Sequence, residues 1–567
     1  MNCFLLLIIL SIILTGFSYR DSKKNTPFLF LSNIFTLLSF SFFFSYTFER
    51  SKIIWAIYEL FSFFIVLLIL VHSKTNPAKT HSTPLTWGFL SLAIFCKMTQ
   101  TWVVDTFPLS DVATVILTIQ MPLTGFITPF IFNYAIFVLP VSICCLMSFL
   151  LIKKTSSLNS LWLNLLTIVL FLWSFFSFVF EVPVKEYYNS IKNEKENFTP
   201  QESSFWNDNF VDINHYPRET PSQKQNLIFI IMESMENSFA DTGNGGVNSA
   251  NYIPEITKLA HENINFSPSP TIGGGIDVNG SLNTISSTIA KLTGIPVLRQ
   301  AFRDNLILPG FTSIYEILKR DGYTNFFIQG TDASFAGLES FLKKHGVDSL
   351  LDSKTLKLEM DVDARWRNFR NFFIGLTDRK LYDISRHLLT DSTLLRRPFT
   401  LTIATIETHY PYGFYNSNCE IKPDDSKEEN IFKATVQCAS FDLGNFISWC
   451  QRQPFFENTT IVITGDHLFP GSHLVSRVRP NRSWINIFIN SRVKAIKEKD
   501  RFFTSFDIAP SLLESLGYKL HQHQMGFGIS LFSEKKTLLE QYSFPVFTNE
   551  LYNLYKARQY LERVMGP

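Results

Sequence analysis

Long apolar runs dominate the first 182 residues of this 567-residue chain, and charged residues and Pro/Gly-containing turns become frequent only after them. A helix that crosses a membrane needs about 20 consecutive apolar residues. Runs of about this length predict six spans, near residues 1–17, 27–47, 53–72, 85–104, 131–152 and 159–181. The sequence therefore predicts a multi-span α-helical membrane domain over residues 1–182.

Two apolar segments need separate interpretation. Residues 110–130 are interrupted by Pro122, Gly125 and Pro129, so we expect an interfacial or re-entrant segment instead of a further crossing. The first run resembles a signal peptide in its position, but it has neither a basic n-region nor a small-residue cleavage site. We interpret it as a membrane helix.

Basic residues in the loops predict the orientation of the spans. Positive loops favour the cytoplasm. Three loops contain basic residues: the first has Arg20, Lys23 and Lys24, the second has Lys74 and Lys79, and the third has Lys153 and Lys154. Placing these loops inside gives six crossings and puts the rest of the chain on the far side, although Arg50 and Lys52 then lie outside. The net charge of +2 and the lack of a basic cluster argue against a nucleic-acid partner.

The chain beyond residue 182 divides into a polar linker, residues 183–224, and an exported domain, residues 225–567. In that domain short apolar runs alternate with helical patterns, which predicts an α/β fold with a mainly parallel central sheet. The predicted strands are 226–232, 323–330, 399–406, 459–465 and 484–490. The predicted helices are 254–264, 311–322, 438–452 and 506–517.

Three of the seven cysteines lie in the exported domain. Cys419 and Cys438 flank a polar, acidic stretch that we expect to be a loop, and a disulfide between them would close it. The alternative is that these two and Cys450 are all reduced and buried. Both interpretations stay open from the sequence.

Acidic residues follow two of the predicted strands. Glu233 comes directly after the strand 226–232, and Asp466 and His467 follow the strand 459–465. Ligands of parallel-sheet domains bind beyond the carboxyl ends of the strands. Two carboxylates and an imidazole suit Zn²⁺ or Mn²⁺. The alternative for Glu233 is a role as an acid at the start of a helix, and His409 and His473 could be ordinary loop histidines.

Thr284 lies in "GSLNTISSTIAKLTGIP", residues 280–296. Apolar residues at helical spacing follow it, so one interpretation is a helix N-cap. A glycine-rich turn precedes it, however, which would put its hydroxyl at a helix N-terminus where negative charge is favoured. A threonine hydroxyl becomes a nucleophile when a metal lowers its pKa. The sequence allows Thr284 to be a cap, a nucleophile or both.

Six motifs occur in an order that resembles one superfamily. They are "FIIMES" (229–234), "NTISSTIAKLTGIP" (283–296), "FIQGTDASFAGLESFLKKHGVD" (327–348), "THYPYGF" (408–414), "TGDH" (464–467) and "DIAPSLLESLG" (507–517). Over about residues 225–535 they resemble the alkaline phosphatase/sulfatase superfamily. Within it the chain is similar to membrane-anchored phosphoglycerol transferases, which include lipoteichoic acid synthases, and is nearest the periplasmic glucan branch.

The resemblance implies roles for particular residues. Glu233, Thr284, Asp466 and His467 would bind a divalent metal, Mn²⁺ or Zn²⁺ with Mg²⁺ as a further candidate, Thr284 would be the nucleophile, and His409 would bind substrate. Sulfatases need a Cys/Ser-x-Pro-x-Arg context at the nucleophile, and its absence around Thr284 argues against sulfate-ester hydrolysis.

The implied reaction moves phosphoglycerol from phosphatidylglycerol, through a phospho-threonine, to a hydroxyl of a periplasmic glycan or glycolipid. The implied location is the bacterial inner membrane, with multiple spans among the membrane lipids and the catalytic domain on the periplasmic or extracellular side. Three alternatives remain: phosphoethanolamine transfer to lipopolysaccharide, simple phosphodiester hydrolysis, and a non-catalytic lipid-binding scaffold.

Overall fold

The computed structural model of the chain describes residues 200–298, 301, 307–356, 375–391, 397–410, 413–425, 427–471, 474–475 and 482–566. The six predicted spans and the segment 110–130 lie outside these residues. None of the helices in the described ranges has the length and apolar character needed to cross a bilayer.

A seven-stranded sheet forms the centre of the described part, in the order β2-β7-β6-β1-β5-β3-β4. The strands are β1 (Asn226–Met232), β2 (Gly274–Gly275), β3 (Thr324–Gln329), β4 (Ser349–Leu351), β5 (Phe399–Ala404), β6 (Thr459–Gly465) and β7 (Trp484–Ile489). A separate hairpin pairs β8 (Gln524–Met525) with β9 (Gly528–Ile529). The pairs β1–β5, β1–β6, β3–β5 and β3–β4 are parallel, whereas β7 runs antiparallel to β6 and β2. The predicted mainly parallel sheet is confirmed.

The central strands are continuous apolar runs because both faces of the sheet are covered. Every residue of β1, β5, β6 and β7 is buried. Successive side chains of a strand point to opposite faces. Accordingly, Phe229 and Ile231 of β1 join one hydrophobic core, and Ile228 and Ile230 join the other.

Helices cover the two faces and follow the strands in chain order. Those in the described ranges are α1 (Ser204–Asn209), α2 (Pro254–Glu262), α3 (Thr284–Thr293), α4 (Ile314–Arg320), α5 (Leu338–Lys344), α6 (Ser353–Leu356), α7 (Asp378–Thr390), α8 (Glu428–Gln451), α9 (Ile508–Ser515), α10 (Leu538–Gln541), α11 (Phe544–Asn553) and α12 (Arg558–Met565). The four predicted helices correspond to α2, α4, part of α8 and α9.

The stretch between Cys419 and Cys438 differs from the expected loop. Helix α8 begins at Glu428, ten residues before the predicted start, because Ile431 and Phe432 on its first turns are buried. A disulfide joins Cys419 to Cys438 and so ties the segment before α8 to the helix itself. Cys450, near the end of α8, is a buried free thiol.

Residues 200–224 belong to the segment that the sequence assigned to a linker, yet they pack on the domain. Helix α1 buries Phe205 and Trp206 in the core. Further along, Val211 exchanges backbone hydrogen bonds with Gly526, and Glu219 does so with Lys519. This part of the segment therefore has a fixed path along the domain surface.

Candidate metal centre and active site

The register of two parallel strands brings the predicted acids together. Met232, the last residue of β1, pairs with Gly465, the last residue of β6. The next residue of each strand is an acid, Glu233 and Asp466, and the Asp466 amide donates to the Met232 carbonyl at 3.0 Å. Both carboxylates therefore lie at the carboxyl edge of the sheet, where the sequence placed them.

Glu233, Asp466 and His467 form a compact buried cluster. One ligand atom from each lies within 4.8 Å of the others. The His467 Nε2 atom is 3.7 Å from Glu233 Oε1 and 3.3 Å from Asp466 Oδ2. The Oδ2 atom is buried and has no hydrogen-bond partner among the described residues. Ligand atoms about 2 Å from one shared ion would lie roughly this far apart, so the three residues could hold a metal.

Thr284 is the first residue of α3, and its hydroxyl joins the cluster. The Oγ1 atom donates to Glu233 Oε2 at 3.1 Å and lies 3.2 Å from His467 Nε2. The interpretation of Thr284 as the helix cap is wrong. The cap is Asn283, whose side chain accepts from the Ser286 amide at 3.0 Å while the Ser286 hydroxyl accepts from the Asn283 amide at 3.3 Å. The Thr284 hydroxyl is therefore not used in capping the helix.

Polar groups around the two acids fix their orientation. Ser234 donates its amide to Asp466 Oδ1 at 2.6 Å and its hydroxyl to Glu233 Oε1 at 2.7 Å. To do so it adopts a left-handed backbone with φ of 50°, a conformation that a serine rarely takes outside constrained sites. From the segment after β5, the Thr405 hydroxyl accepts from the Glu233 amide at 3.0 Å, and the Thr408 hydroxyl donates to the Glu233 carbonyl.

A buried lysine behind the cluster was missed from the sequence. Lys291, two turns along α3 from Thr284, is fully buried. Its Nζ donates to the Asp466 carbonyl at 2.7 Å, to Ser287 Oγ at 2.5 Å and to Ser505 Oγ at 3.0 Å, and lies 4.2 Å from the Trp484 ring centre. The available signal was a lysine on the apolar side of a helix, where long charged side chains rarely lie without a partner.

Asp277 was also missed. Its Oδ2 accepts from the Leu468 amide at 3.0 Å, directly after His467, and its Oδ1 is buried without a hydrogen-bond partner in the described ranges. The negative charge of Asp277 favours protonation of His467. Its position in the glycine-rich stretch before Thr284 gave no pattern from which this contact could be predicted.

The electrostatics of the cluster strongly favour added positive charge. Burial, and then the charge of Asp466, raises the pKa of Glu233 to about 8. Burial opposes the charged form of His467, but the carboxylates of Asp466, Glu233 and Asp277 outweigh it and raise the pKa of His467 to about 9. Either protons or a divalent cation can supply the compensating charge. The donor set, the spacing and the unpaired Asp466 oxygen all fit a metal ion.

His409 follows β5, and its electrostatics connect it to the same site. Burial, helped by the positive charge of His467, lowers the pKa of His409 to about 4. Its Nδ1 lies 2.6 Å from the Tyr410 carbonyl, so this nitrogen carries the proton of the neutral ring. The Nε2 atom is then the acceptor of the ring. His473 lies outside the described residues.

Known proteins resemble this chain in sequence. The family model named Sulfatase matches residues 225–518. Phosphoglycerol transferase I of Escherichia coli O127:H6 is 31% identical over 261 residues, which covers 44% of this chain and 32% of that protein. Phosphoglycerol transferase I of Salmonella arizonae is 32% identical over 258 residues, 44% of this chain and 31% of that protein. The chain thus matches about a third of the length of these relatives.

Solved structures with a similar course of the chain have low identity. An alkaline phosphatase superfamily protein from Vibrio parahaemolyticus is 19% identical, with a TM-score of 0.45 over 57% of this chain and 72% of that one. The lipoteichoic acid synthase LtaP from Listeria monocytogenes is 14% identical, with a TM-score of 0.45 over 66% and 96%. At such scores no functional conclusion follows. The Sulfatase match covers more than half of the chain and confirms the resemblance of the motifs, so the chain belongs to the sulfatase family.

Proposed function

We propose that this chain is a metal-dependent phosphoglycerol transferase. It takes the phosphoglycerol group from phosphatidylglycerol and passes it to a hydroxyl of a periplasmic glycan or glycolipid, from an anchor in the bacterial inner membrane. The observation that carries the proposal is the Thr284 hydroxyl, within 3.2 Å of both Glu233 and His467 at the start of a helix. The names of the relatives support the choice of transferred group.

The metal would be held by Glu233, Asp466, His467 and the Thr284 oxygen. Carboxylate, imidazole and alkoxide donors suit Mn²⁺ or Zn²⁺, with Mg²⁺ as a further candidate. When bound, such an ion lowers the pKa of the hydroxyl it contacts and offsets charge on a phosphate.

The chain's own residues account for the two halves of the transfer. The Thr284 oxygen attacks the phosphorus in line, the bond from phosphorus to the diacylglycerol oxygen breaks, and the proton lost by Thr284 ends on that oxygen, so that diacylglycerol leaves and glycerophosphate is esterified to the threonine. The N-terminus of α3, which begins at Thr284, favours the negative phosphate. In the second half, the unprotonated Nε2 of His409 accepts a hydrogen bond from the entering hydroxyl, and the proton of that hydroxyl passes to the Thr284 oxygen as the new P–O bond forms and the bond to Thr284 breaks. Lys291 and Ser234 keep Asp466 in place throughout.

Incubation with Mn²⁺ and a short-chain phosphatidylglycerol is expected to add one glycerophosphoryl group to the full-length protein in detergent. Intact-mass analysis measures the adduct, and proteolytic mapping should assign it to Thr284. The same experiment with phosphatidylethanolamine is the control for the donor. An adduct with that lipid alone would replace the proposed donor, and hydrolysis of a generic phosphodiester without any adduct would indicate a hydrolase.

Metal affinity is expected to rise as the pH rises from 6 to 9. Glu233 and His467 hold protons with pKa values of about 8 and 9, and a metal must displace these protons to bind. Each proton released makes the apparent Kd about tenfold lower per pH unit below its pKa. Calorimetric titration with Mn²⁺ at several pH values measures the slope, and Glu233→Gln should make it shallower. A flat profile would contradict this account of the cluster.

A further inference from the structure

The two nitrogens of the His467 ring face different partners. Nδ1 lies 2.9 Å from the Leu468 carbonyl, so this nitrogen keeps a proton when the ring is neutral. Nε2 is then the acceptor of the ring, and it lies 3.2 Å from the Thr284 hydroxyl oxygen and 3.3 Å from Asp466 Oδ2. The direction of Nε2 therefore depends on the position of the Leu468 carbonyl.

The peptide that contains the Leu468 carbonyl is bound from its other side as well. The N–H group of this peptide is that of Phe469, and it donates to Glu236 Oε2 at 2.9 Å. A trans peptide is planar, and its N–H and C=O groups point in opposite directions. The Glu236 carboxylate therefore holds the carbonyl towards the His467 ring. A charged acceptor on the N–H group also makes the carbonyl of the same peptide a stronger acceptor.

Arg482 binds Glu236 and the next peptide at the same time. Its Nε and Nη2 donate to the two oxygens of Glu236 at 2.8 and 2.5 Å, and Nη2 also donates to the Phe469 carbonyl at 2.6 Å. The Glu236 and Arg482 side chains are 0% and 11% exposed. Water therefore competes little for these bonds, and the pair holds both peptide groups of Phe469.

The backbones of Glu236 and Arg482 are held by the sheet. Glu236 forms a β-bridge with Trp484, the first residue of β7. Beside the pair, the Asn237 amide donates to the Ser483 carbonyl at 2.9 Å, and the Ser483 amide donates to Asn237 Oδ1 at 2.9 Å. Side chains carried by such a rigid support can position other groups accurately.

Stability alone does not account for an ion pair at this place. Apolar residues of similar volume are often as stabilising as a buried ion pair, or more so, because they avoid the cost of removing two charges from water. Apolar side chains could not, however, accept from the Phe469 amide or donate to its carbonyl. These two hydrogen bonds are what the pair adds beyond filling space.

We infer that Glu236 and Arg482 are positioning residues for the metal ligand His467. Acting through the peptide that follows Leu468, they hold the imidazole with Nε2 directed at the metal site. The inference rests on the metal-dependent function proposed above and assigns a task to two residues outside the ligand set. Removing a partner that orients a ligating histidine typically weakens metal binding by about 10- to 100-fold.

The test compares stability with metal affinity in the full-length protein in detergent. Glu236→Leu/Arg482→Met leaves no buried charge, so it should keep much of the stability that the loss of Arg482 alone would remove. Its Kd for Mn²⁺, measured by calorimetric titration at one fixed pH, should nevertheless be about 10- to 100-fold higher than that of wild type. Pulsed EPR of bound Mn²⁺ should show a weaker nitrogen signal, because the His467 ring is less well oriented.

A second buried pair provides the matched control. Arg501 bonds Glu540 at 2.9 Å, and the two side chains are 4% and 12% exposed. Arg501 also donates to the carbonyls of Ser533 and Lys535, at 2.9 and 3.2 Å. Arg501→Met/Glu540→Leu therefore removes the same chemical groups from a pair that holds residues 533–540. We expect this variant to bind Mn²⁺ with the affinity of wild type.

A conservative variant keeps the inference falsifiable if Glu236→Leu/Arg482→Met folds poorly. Glu236→Gln/Arg482→Met retains an acceptor for the Phe469 amide but removes both charges, so its affinity for Mn²⁺ should lie between those of wild type and the leucine variant. A wild-type Kd in either variant, or an equal loss of affinity in the control pair, would overturn the inference. Weaker Mn²⁺ binding in both variants, with no Thr284 adduct in wild type, would support the inference and overturn the proposed transfer.

Discussion

Replacing Thr284 by valine is expected to lower lipid turnover by about a thousandfold or more and to leave the fold intact. Valine has nearly the shape of threonine but lacks the oxygen that lies 3.1 Å from Glu233 Oε2 and 3.2 Å from His467 Nε2. The helix should persist, because Asn283 and not Thr284 caps it. Release of diacylglycerol from phosphatidylglycerol measures turnover, and circular dichroism measures folding.

Two companion variants make this result interpretable. Thr284→Ser keeps a hydroxyl at the same position and should retain a substantial part of the turnover. Asn283→Ala keeps the nucleophile and removes the cap, so it should cost about 1 kcal/mol of stability instead of the chemistry. Full turnover in Thr284→Val would mean that another group attacks the phosphorus.

The largest effect on stability is expected for Arg482→Met, about 3–5 kcal/mol. Glu236 is fully buried, and Arg482 bonds its two oxygens at 2.8 and 2.5 Å. The guanidinium also donates to the Phe469 carbonyl at 2.6 Å, while the Phe469 amide donates back to Glu236 at 2.9 Å. Methionine fills much of the space of the arginine side chain but carries no charge. The buried Glu236 carboxylate would then have no countercharge, and an uncompensated buried charge is what makes the loss of one ion-pair partner so destabilising.

An exposed pair is the matched control for this prediction. Lys519 and Glu219 are 2.6 Å apart, but their side chains are 75% and 73% exposed. Lys519→Met should therefore cost less than about 1 kcal/mol. Urea unfolding of the full-length variants in the same detergent measures the free energy of unfolding of Arg482→Met and of Lys519→Met. Equal losses of unfolding free energy in the two variants would contradict the importance assigned to burial. Adding Glu236→Leu to Arg482→Met should recover much of the lost stability, because it removes the buried charge.

The sequence predicted the parts of the site that depend on local patterns. Continuous apolar runs identified β1 and β6, and the acids directly after them had to reach the same sheet edge if the strands were parallel. The cap could not be assigned in this way. Asn283 and Thr284 are both competent caps, and the choice depends on the extended backbone of Asn283, with φ of −136° and ψ of 164°, which the sequence does not reveal.

Contacts between distant residues were beyond local patterns. Lys291 reaches the Asp466 carbonyl across 175 positions of the chain, and Ser234 reaches Asp466 across 232. The direction of β7 is another example, because an apolar run reads the same in a parallel and an antiparallel strand. The early start of α8 was hidden by the polar residues before Ile431, of which Glu429 is exposed on the first turn.

Met232 pairs with Gly465, and the next residues of the two strands are Glu233 and Asp466. The backbone of the sheet therefore sets the distance between these two acids. A one-residue slip would turn every side chain of β1 to the other face, so the pair can be lost only when the innermost strands separate. Amide protons of β1 and β6 should therefore be among the last to exchange with deuterium, together with global unfolding. Loops at the same edge open far more readily and tolerate insertion. Changes confined to the loops would thus alter which substrates the proposed site accepts, while the spacing of Glu233 and Asp466 stays the same.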